Sequence, residues 1–330
     1  MSTEPALTDL SAAVLARGGE LRAGGTDTTA RQRIGISPGP FTDLGGAGHL
    51  RGCTPLPGGG LRVGALTTLA ALAADPQVRD GWPALAVSAG TAATPQVRAA
   101  GTLGGNLLQR NRCWYYRNPH VSCLQKGGNE CPARLGDHHF GVVSGDGLCI
   151  APHPSTLAMA LLTYGAEVEI HGESPRGIAD LYGDGDRLFQ ADHLLPPERI
   201  LTAVHLPAPW PGERAACHRA ISRAHAEWPL VEATARLALD GATITHAAVA
   251  AGGVARVPVR LTEVEAALIG REAKAEVLVA AAATVLARCR PLPQTGYKAE
   301  LFRGTVLEAL EQAAGSAAAG SAAAGSAVAD

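Results

Sequence analysis

The sequence predicts an α+β protein built from two domains. Three observations lead there. At 330 residues the chain is longer than one hydrophobic core usually organises, and with 46% apolar residues the material for burial is ample. Strand-like and helix-like patterns follow one another in mixed order through the first half. A break marked by prolines and glycine, "PAPWPGERAA" at 207–216, then precedes a second set that opens on a strand and ends in alanine-rich helices. These divide the chain into residues 1–210, 211–314 and a tail at 315–330.

The elements follow in order. "ELRAGG" at 20–25 reads as a strand ending on a glycine turn. "LRVGALTTLAALAADP" reads as a strand, then a short helix capped by Thr67 or Thr68 and stopped before Pro76. "PALAVSAGTAATP" reads as a helix closed by Pro95. Residues 109–153 carry charged residues, Gly, Cys and His with little periodicity, the mark of a functional or disordered segment. "GAEVEIHG" and "ILTAVHLPAP" alternate as strands. Past the break, "ATITHAAVAAGG" is a strand ending at Gly252 and Gly253. "TEVEAALIG" is a helix with Thr262 as N-cap and Gly270 past its end. "YKAELFRGTVLEALEQAA" is the second of two further helical patterns. The closing "GSAAAGSAAAGSAVAD" has almost no side chain to bury and reads as a disordered tail.

A net charge of -2 argues against a nucleic-acid partner and against an anionic membrane surface. No stretch has the length of a membrane-spanning helix, and the N-terminus lacks the basic and apolar regions of a signal peptide. Seven cysteines, an odd count, fit reduced thiols or metal ligands better than a disulfide framework. Asp184, Asp186 and Asp192 could suggest a metal site, with a solvated acidic turn as the simpler reading.

Two glycine segments stand out, "RAGGTDTTA" at 22–30 and "GTLGGN" at 101–106. Glycine allows close backbone approach, so successive N–H groups can converge on phosphate oxygens. Thr26, Thr102 and Asn106 could add side-chain hydrogen bonds. Neither segment is a dinucleotide fingerprint or a P-loop, and two tight turns in a chain with 40 glycines would look the same.

Cys113, Cys123, Cys131 and Cys149 gather in the irregular stretch, separated by nine, seven and seventeen residues. Four thiolates suit zinc or an iron–sulfur cluster, although the spacing matches neither a C-x-x-C zinc module nor the common ferredoxin run. His120, His138, His139 and His153 keep zinc open. Packing in small buried spaces is the alternative, and it suits Cys53, Cys217 and Cys289 well. Trp114, Tyr115 and Tyr116 form an aromatic triplet in a chain with only four Trp, five Tyr and four Phe. They could shield a cofactor or simply anchor the loop.

Six runs, "RAGGTDTTA", "GLRVGALTTLAALA", "TPQVRAAGTLGGNLLQ", "CIAPHPST", "RAISRAHAEWPLVEA" and "YKAELFRGTVLEAL", fall in one order over residues 20–312. In that order they resemble the FAD-binding (medium) subunit of the molybdenum hydroxylases, the xanthine dehydrogenase and aldehyde oxidoreductase family. The resemblance implies a two-part, PCMH-like FAD-binding domain followed by a smaller α+β C-terminal flavoprotein domain. Ala23, Gly24, Gly25, Thr26 and Asp27 would surround the FAD pyrophosphate, and Thr102, Gly104, Gly105 and Asn106 would make the second contact. Ser155 matches the serine of the family's "HPSD", whose aspartate is Thr156 here. Arg219 stands where a lysine commonly approaches the flavin, keeping the charge on a planar group. Arg223 matches the family's arginine. In the branch that includes bacterial aldehyde oxidoreductases, a cysteine-bearing insertion lies between "GGNLLQR-x-R-C" and "CIA-x-HPS". By this likeness Cys113, Cys123, Cys131 and Cys149 would ligate a [4Fe-4S] cluster.

The implied function is electron transfer within a heteromeric, molybdenum-containing oxidoreductase. A molybdenum-cofactor large subunit would oxidise an aldehyde or heterocycle, and a [2Fe-2S] small subunit would pass electrons to FAD and on to an external acceptor. The location implied is cytoplasmic, or periplasmic by co-export with a signal-bearing partner. Two other classes share parts of the pattern. A free-standing flavoprotein oxidoreductase would turn over substrate without partner chains, and a zinc-stabilised interaction module would be colourless.

Overall fold

The computed structural model describes residues 6–185, 190–224 and 226–315. The expected tail therefore lies outside the described residues apart from Gly315, and so do Asp186 and His225. Leu7–Arg17 is a helix, followed by a parallel pair of short strands, Glu20–Arg22 with Phe41–Asp43. Leu44, Ala47, Leu50, Leu66 and Ile200 form the small core beside them. A five-stranded antiparallel sheet comes next, in the order Cys53–Pro55, Leu61–Gly64, Leu201–Leu206, Glu167–Ile170, Arg176–Gly177. Its central strand arrives some 140 residues after its neighbour, so everything between, the cysteine segment included, is inserted into one sheet. This two-part unit agrees with the two-part domain that the resemblance implied.

Short helices pack on the sheet, and local chemistry sets their ends. Thr68 caps Leu69–Ala74 by accepting from the Ala71 N–H, and Asp75 caps Pro76–Gly81. The expected helix over "PALAVSAGTAATP" forms as Pro83–Thr91, but Pro95 does not close it. Pro95 opens the next helix, Pro95–Ala100, at the position where its missing N–H costs nothing, with Thr94 as cap. Thr156–Tyr164 is apolar nearly all round and buried along eight of its nine residues. That is the pattern of a helix enclosed on every side.

The second sheet explains that enclosure. It is antiparallel, in the order Val259–Arg260, Thr243–Gly252, Val231–Asp240, Arg214–Ala220. Alternation along Val231–Asp240 separates two faces. Val231, Ala233, Ala235 and Leu237 enter the C-terminal core with Phe302, Val306 and Leu310 of the helix Tyr297–Ala314. Glu232, Thr234 and Arg236 point the other way, toward Thr156–Tyr164 and Pro83–Thr91. Arg236 donates to the Thr163 carbonyl, and Thr234 meets Cys217, whose thiol also lies against Ser88. The polar file of this strand is thus an inter-domain seam. Glu213 supplies Arg236 with its carboxylate at 2.6 Å.

Thr262 is not the N-cap expected for Thr262–Leu268. Leu261 takes that position because its side chain is buried in the C-terminal core, which brings the chain into the helix one residue sooner. In Tyr297–Ala314, a Cβ on Gly304 would meet nothing within 4 Å. Gly304→Ala is therefore expected to stabilise the protein by about 1 kcal/mol, read as a higher urea midpoint at unchanged slope.

Candidate cofactor site

The two glycine segments lie against each other. After Glu20–Arg22 the chain turns at Gly25 (φ +71°) into the helix Thr28–Arg33. A Cβ on Gly24 would stand 1.9 Å from the Ala100 carbonyl oxygen and 3.2 Å from Gly101 Cα, so only glycine fits where the turns cross. Among the described residues the backbone N–H groups of Gly24, Gly25 and Thr26 meet no acceptor. Three successive unpartnered donors at a turn form an anion-binding concavity. Across from them, Gly105 is exposed at the start of the short helix Leu103–Leu107.

Other expected contacts have local duties. Thr102 is buried and caps that helix, its hydroxyl accepting from the Gly105 N–H at 3.1 Å. Gly104 packs where a Cβ would come within 3.0 Å of Ala65 Cβ. Ser155 caps Thr156–Tyr164 and donates to Asn106 Oδ1 at 2.6 Å, tying the two segments together. Asp27 accepts from Arg112 at 2.5 Å, Arg117 at 2.8 Å and Arg31 at 3.0 Å. Burial alone would raise its pKa, but the guanidinium groups of Arg112, Arg117 and Arg31 overrule it and hold the carboxyl far below the usual range. Asp27 thus staples the first glycine turn to the cysteine segment.

A second buried carboxylate holds the other side of that segment. Asp192 is 1% exposed and accepts from Arg110 at 2.8 Å, Arg256 at 3.0 Å and the Asn111 backbone at 3.0 Å. Despite burial, Arg256 and Arg110 keep it well below the ordinary carboxylate range. The solvated reading of this aspartate is overturned; Asp184 alone of the described pair is exposed. Within the segment, Tyr115 accepts the Asp137 N–H, and Tyr116 lies buried beneath Arg110 and Arg117. The aromatic triplet anchors the loop, with Trp114 left exposed at its rim.

All seven cysteines are free. Cys113, Cys131 and Cys149 share one small apolar cluster with Leu124 and Ala151. Burial first, and then neighbouring thiols, raise the Cys113 and Cys149 pKa values. Cys123 is buried and adjoins Leu124 in sequence without joining the cluster. Among the described residues, no group of three or more His, Cys, Asp or Glu side chains is gathered as one metal ion would require.

Beside the glycine turns a cavity of about 590 Å³ opens between the domains. Ala30 and Ile34 of the helix after the first turn line it, with Cys113 and Trp114 from the cysteine segment and Arg223 and Trp228 from the second domain. Arg112 lies over the Trp228 ring at 4.4 Å and bridges the two sides. Arg219 is not on the wall. Its guanidinium donates to the Thr91 and Glu227 carbonyls, 2.6 and 2.9 Å away, and clamps the seam. Arg223 reaches the cavity on an exposed side chain that faces Glu227 at 4.0 Å.

Of three buried groups on the wall, Glu232 and Lys298 escaped the sequence reading, and His153 entered it only as a candidate zinc ligand. His153, 3% exposed, has no partner on either ring nitrogen, and burial pushes its pKa down to about 3, so the ring is neutral. Glu232 leaves Oε2 without a donor. Lys298 spans two carbonyls, Gly141 at 2.9 Å and Gly253 at 2.6 Å. The phosphate-sized row of free donors, an apolar cavity of ligand dimensions and unpartnered polar atoms on its wall all fit a flavin nucleotide.

Residues 4–209 match the family model of the FAD binding domain in molybdopterin dehydrogenase, and residues 216–315 that of the CO dehydrogenase flavoprotein C-terminal domain. Together with the two-domain α+β fold they define the class, an FAD-binding oxidoreductase subunit. The chain belongs to the FAD-binding subunits of the molybdenum hydroxylases. It is 32% identical over 311 residues to the aldehyde oxidoreductase FAD-binding subunit PaoB of Escherichia coli K12, covering 91% of this chain and 93% of that one. The fold matches a chain of carbon monoxide dehydrogenase from Hydrogenophaga pseudoflava (TM-score 0.71, 22% identity, 93% and 94% of the two chains covered). It matches a chain of quinoline 2-oxidoreductase from Pseudomonas putida 86 equally well (TM-score 0.72, 18% identity, 96% and 99% covered). Among the described residues no helix is long and apolar enough to cross a membrane.

Proposed function

We propose that this chain is the electron-transfer subunit of a molybdenum-containing aldehyde oxidoreductase, carrying FAD and a [4Fe-4S] cluster. Residues 1–210 form its FAD-binding domain and residues 211–314 its C-terminal flavoprotein domain. The observation that carries the reading is the likeness to PaoB along nearly the whole chain, joined to a cavity lined by the helix after the first glycine turn and by the cysteine segment. The partners are a molybdenum-cofactor large subunit and a [2Fe-2S] small subunit, with an external electron acceptor and a cytoplasmic location.

The N–H groups of Gly24, Gly25 and Thr26 receive the pyrophosphate, and Gly105 leaves room for it from the other side. Trp228, Trp114 and the inter-domain walls exclude water from the ring, with Arg223 at the mouth. When bound, FAD supplies the exchange between single electrons and electron pairs. Cys113, Cys123, Cys131 and Cys149 are the donors for the cluster. Cys113, Cys131 and Cys149 share one apolar cluster, and four cysteines are the usual complement of a four-iron centre.

An absorption spectrum of the purified chain, with metal analysis and acid-released flavin, tests this reading. FAD with about four irons per chain is expected. Cys149→Ser should lose the broad iron–sulfur absorption and keep most of the FAD. Zinc in place of iron, or an intact cluster in that variant, would overturn the ligand set.

A further inference from the structure

Glu232 stands on the wall of the inter-domain cavity at 2% exposure, on the face of Val231–Asp240 that forms the seam. The Thr156 hydroxyl favours the ionised form of its carboxyl group, while Oε2 has no hydrogen-bond donor. Arg219 Nε is 3.7 Å from Oε2, beyond hydrogen-bond reach, and that guanidinium is already engaged by the Thr91 and Glu227 carbonyls. A carboxylate with that little support is costly to bury. An iron–sulfur centre delivers electrons without protons, whereas a reduced flavin has taken up a proton, which a buried acid on the cavity wall can provide.

We propose that Glu232 is the proton-exchanging residue of the flavin site, an acid on the cavity wall that gives a proton to the ring as electrons arrive. The inference rests on the flavin reading above. In the forward step the Glu232 O–H bond breaks and an N–H bond forms on the ring. Glu232 would give up one proton for every two electrons that the iron–sulfur partner delivers, and would itself be left as a carboxylate. The carboxylate left behind is balanced by Arg219. On reoxidation the two electrons pass to the external acceptor and the proton returns to Glu232.

The surroundings suit this assignment. Burial pushes Glu232 up to about 7, with Arg219 and Thr156 pulling the other way, so the acid holds its proton up to neutral pH and can still release it. The other titratable neighbours are less suited. The Cys217 thiol is raised by burial, and His153 stays neutral throughout. Lys298 is pushed down to about 7 by burial, but two backbone carbonyls hold its ammonium.

The test follows the flavin midpoint potential against pH in the assembled enzyme, with bound flavin measured for each protein. Wild type should show a change of slope near neutral pH that Glu232→Gln abolishes and Glu232→Asp retains at a shifted pH. The infrared band of a protonated carboxyl at neutral pH should disappear in Glu232→Gln. A full flavin complement with the same slope change in Glu232→Gln would overturn the proposal, as would a slope change lost only in Lys298→Met. Wild-type enzyme lacking flavin would instead sink the flavin reading, a result that flavin content alone reveals.

Discussion

Gly24→Val is expected to yield a protein that has lost its FAD and about 3 kcal/mol of stability. The cause is steric and involves backbone on both sides. The new Cβ would stand 1.9 Å from the Ala100 oxygen and 2.7 Å from its carbonyl carbon, atoms that cannot rotate away. The crossing turns must separate, and that displaces the N–H groups of Gly24, Gly25 and Thr26. It also strains the Asp27 staple, since Asp27 follows three residues on and is held by Arg112 and Arg117. Gly105→Val makes the informative comparison. Gly105 is exposed, and its Cβ would crowd only the Thr102 hydroxyl, at 3.0 Å. That variant should unfold close to wild type yet bind little flavin. Thermal unfolding and acid-released flavin on both proteins check the pair. A Gly24→Val protein with normal flavin would show that the turns can part without consequence.

The glycine turns were legible because their signal is local: a backbone that must approach something has to dispense with Cβ. The sequence could not say what is approached. Gly24 and Gly104 proved to be needed for the chain's own packing, which then presents Gly25, Thr26 and Gly105 outward. Thr102 and Ser155, expected as cofactor contacts, have hydroxyls engaged as helix caps, a use equally local and equally consistent with their spacing. The buried groups on the cavity wall were illegible for the opposite reason. Glu232 in "PLVEATA" reads as the polar side of an alternating strand, and Lys298 in "YKAEL" as a solvated helix face. Their meaning comes from a second domain closing over them, which no window of sequence contains. Asp192 failed the same way: among acidic neighbours it looked solvated, while Arg110 and Arg256 reach it from segments 82 and 64 residues distant.

That last carboxylate carries the other large effect. Asp192→Asn keeps the shape and removes the charge between Arg110 and Arg256, and is expected to cost about 3–5 kcal/mol, as when one partner of a buried ion pair is lost. The penalty has a pH signature. Asp192 and Asp27 both have folded pKa values lowered below those of the unfolded chain. Such groups contribute stability that is whole above the unfolded carboxylate range, near pH 4, and is lost as pH falls through the folded values. Wild-type stability should therefore fall steadily on acidification below about pH 4, and Asp192→Asn should fall less steeply from a lower start. Urea midpoints across that range check the slope. Asp192 also anchors Asn111 and Gln125, and Gln125 in turn faces the Cys149 sulfur at 3.8 Å. The same substitution should then loosen the cysteine segment, lowering bound iron more than bound flavin. Equal loss of both would mean that Asp192 supports the fold at large rather than the segment that carries the thiols.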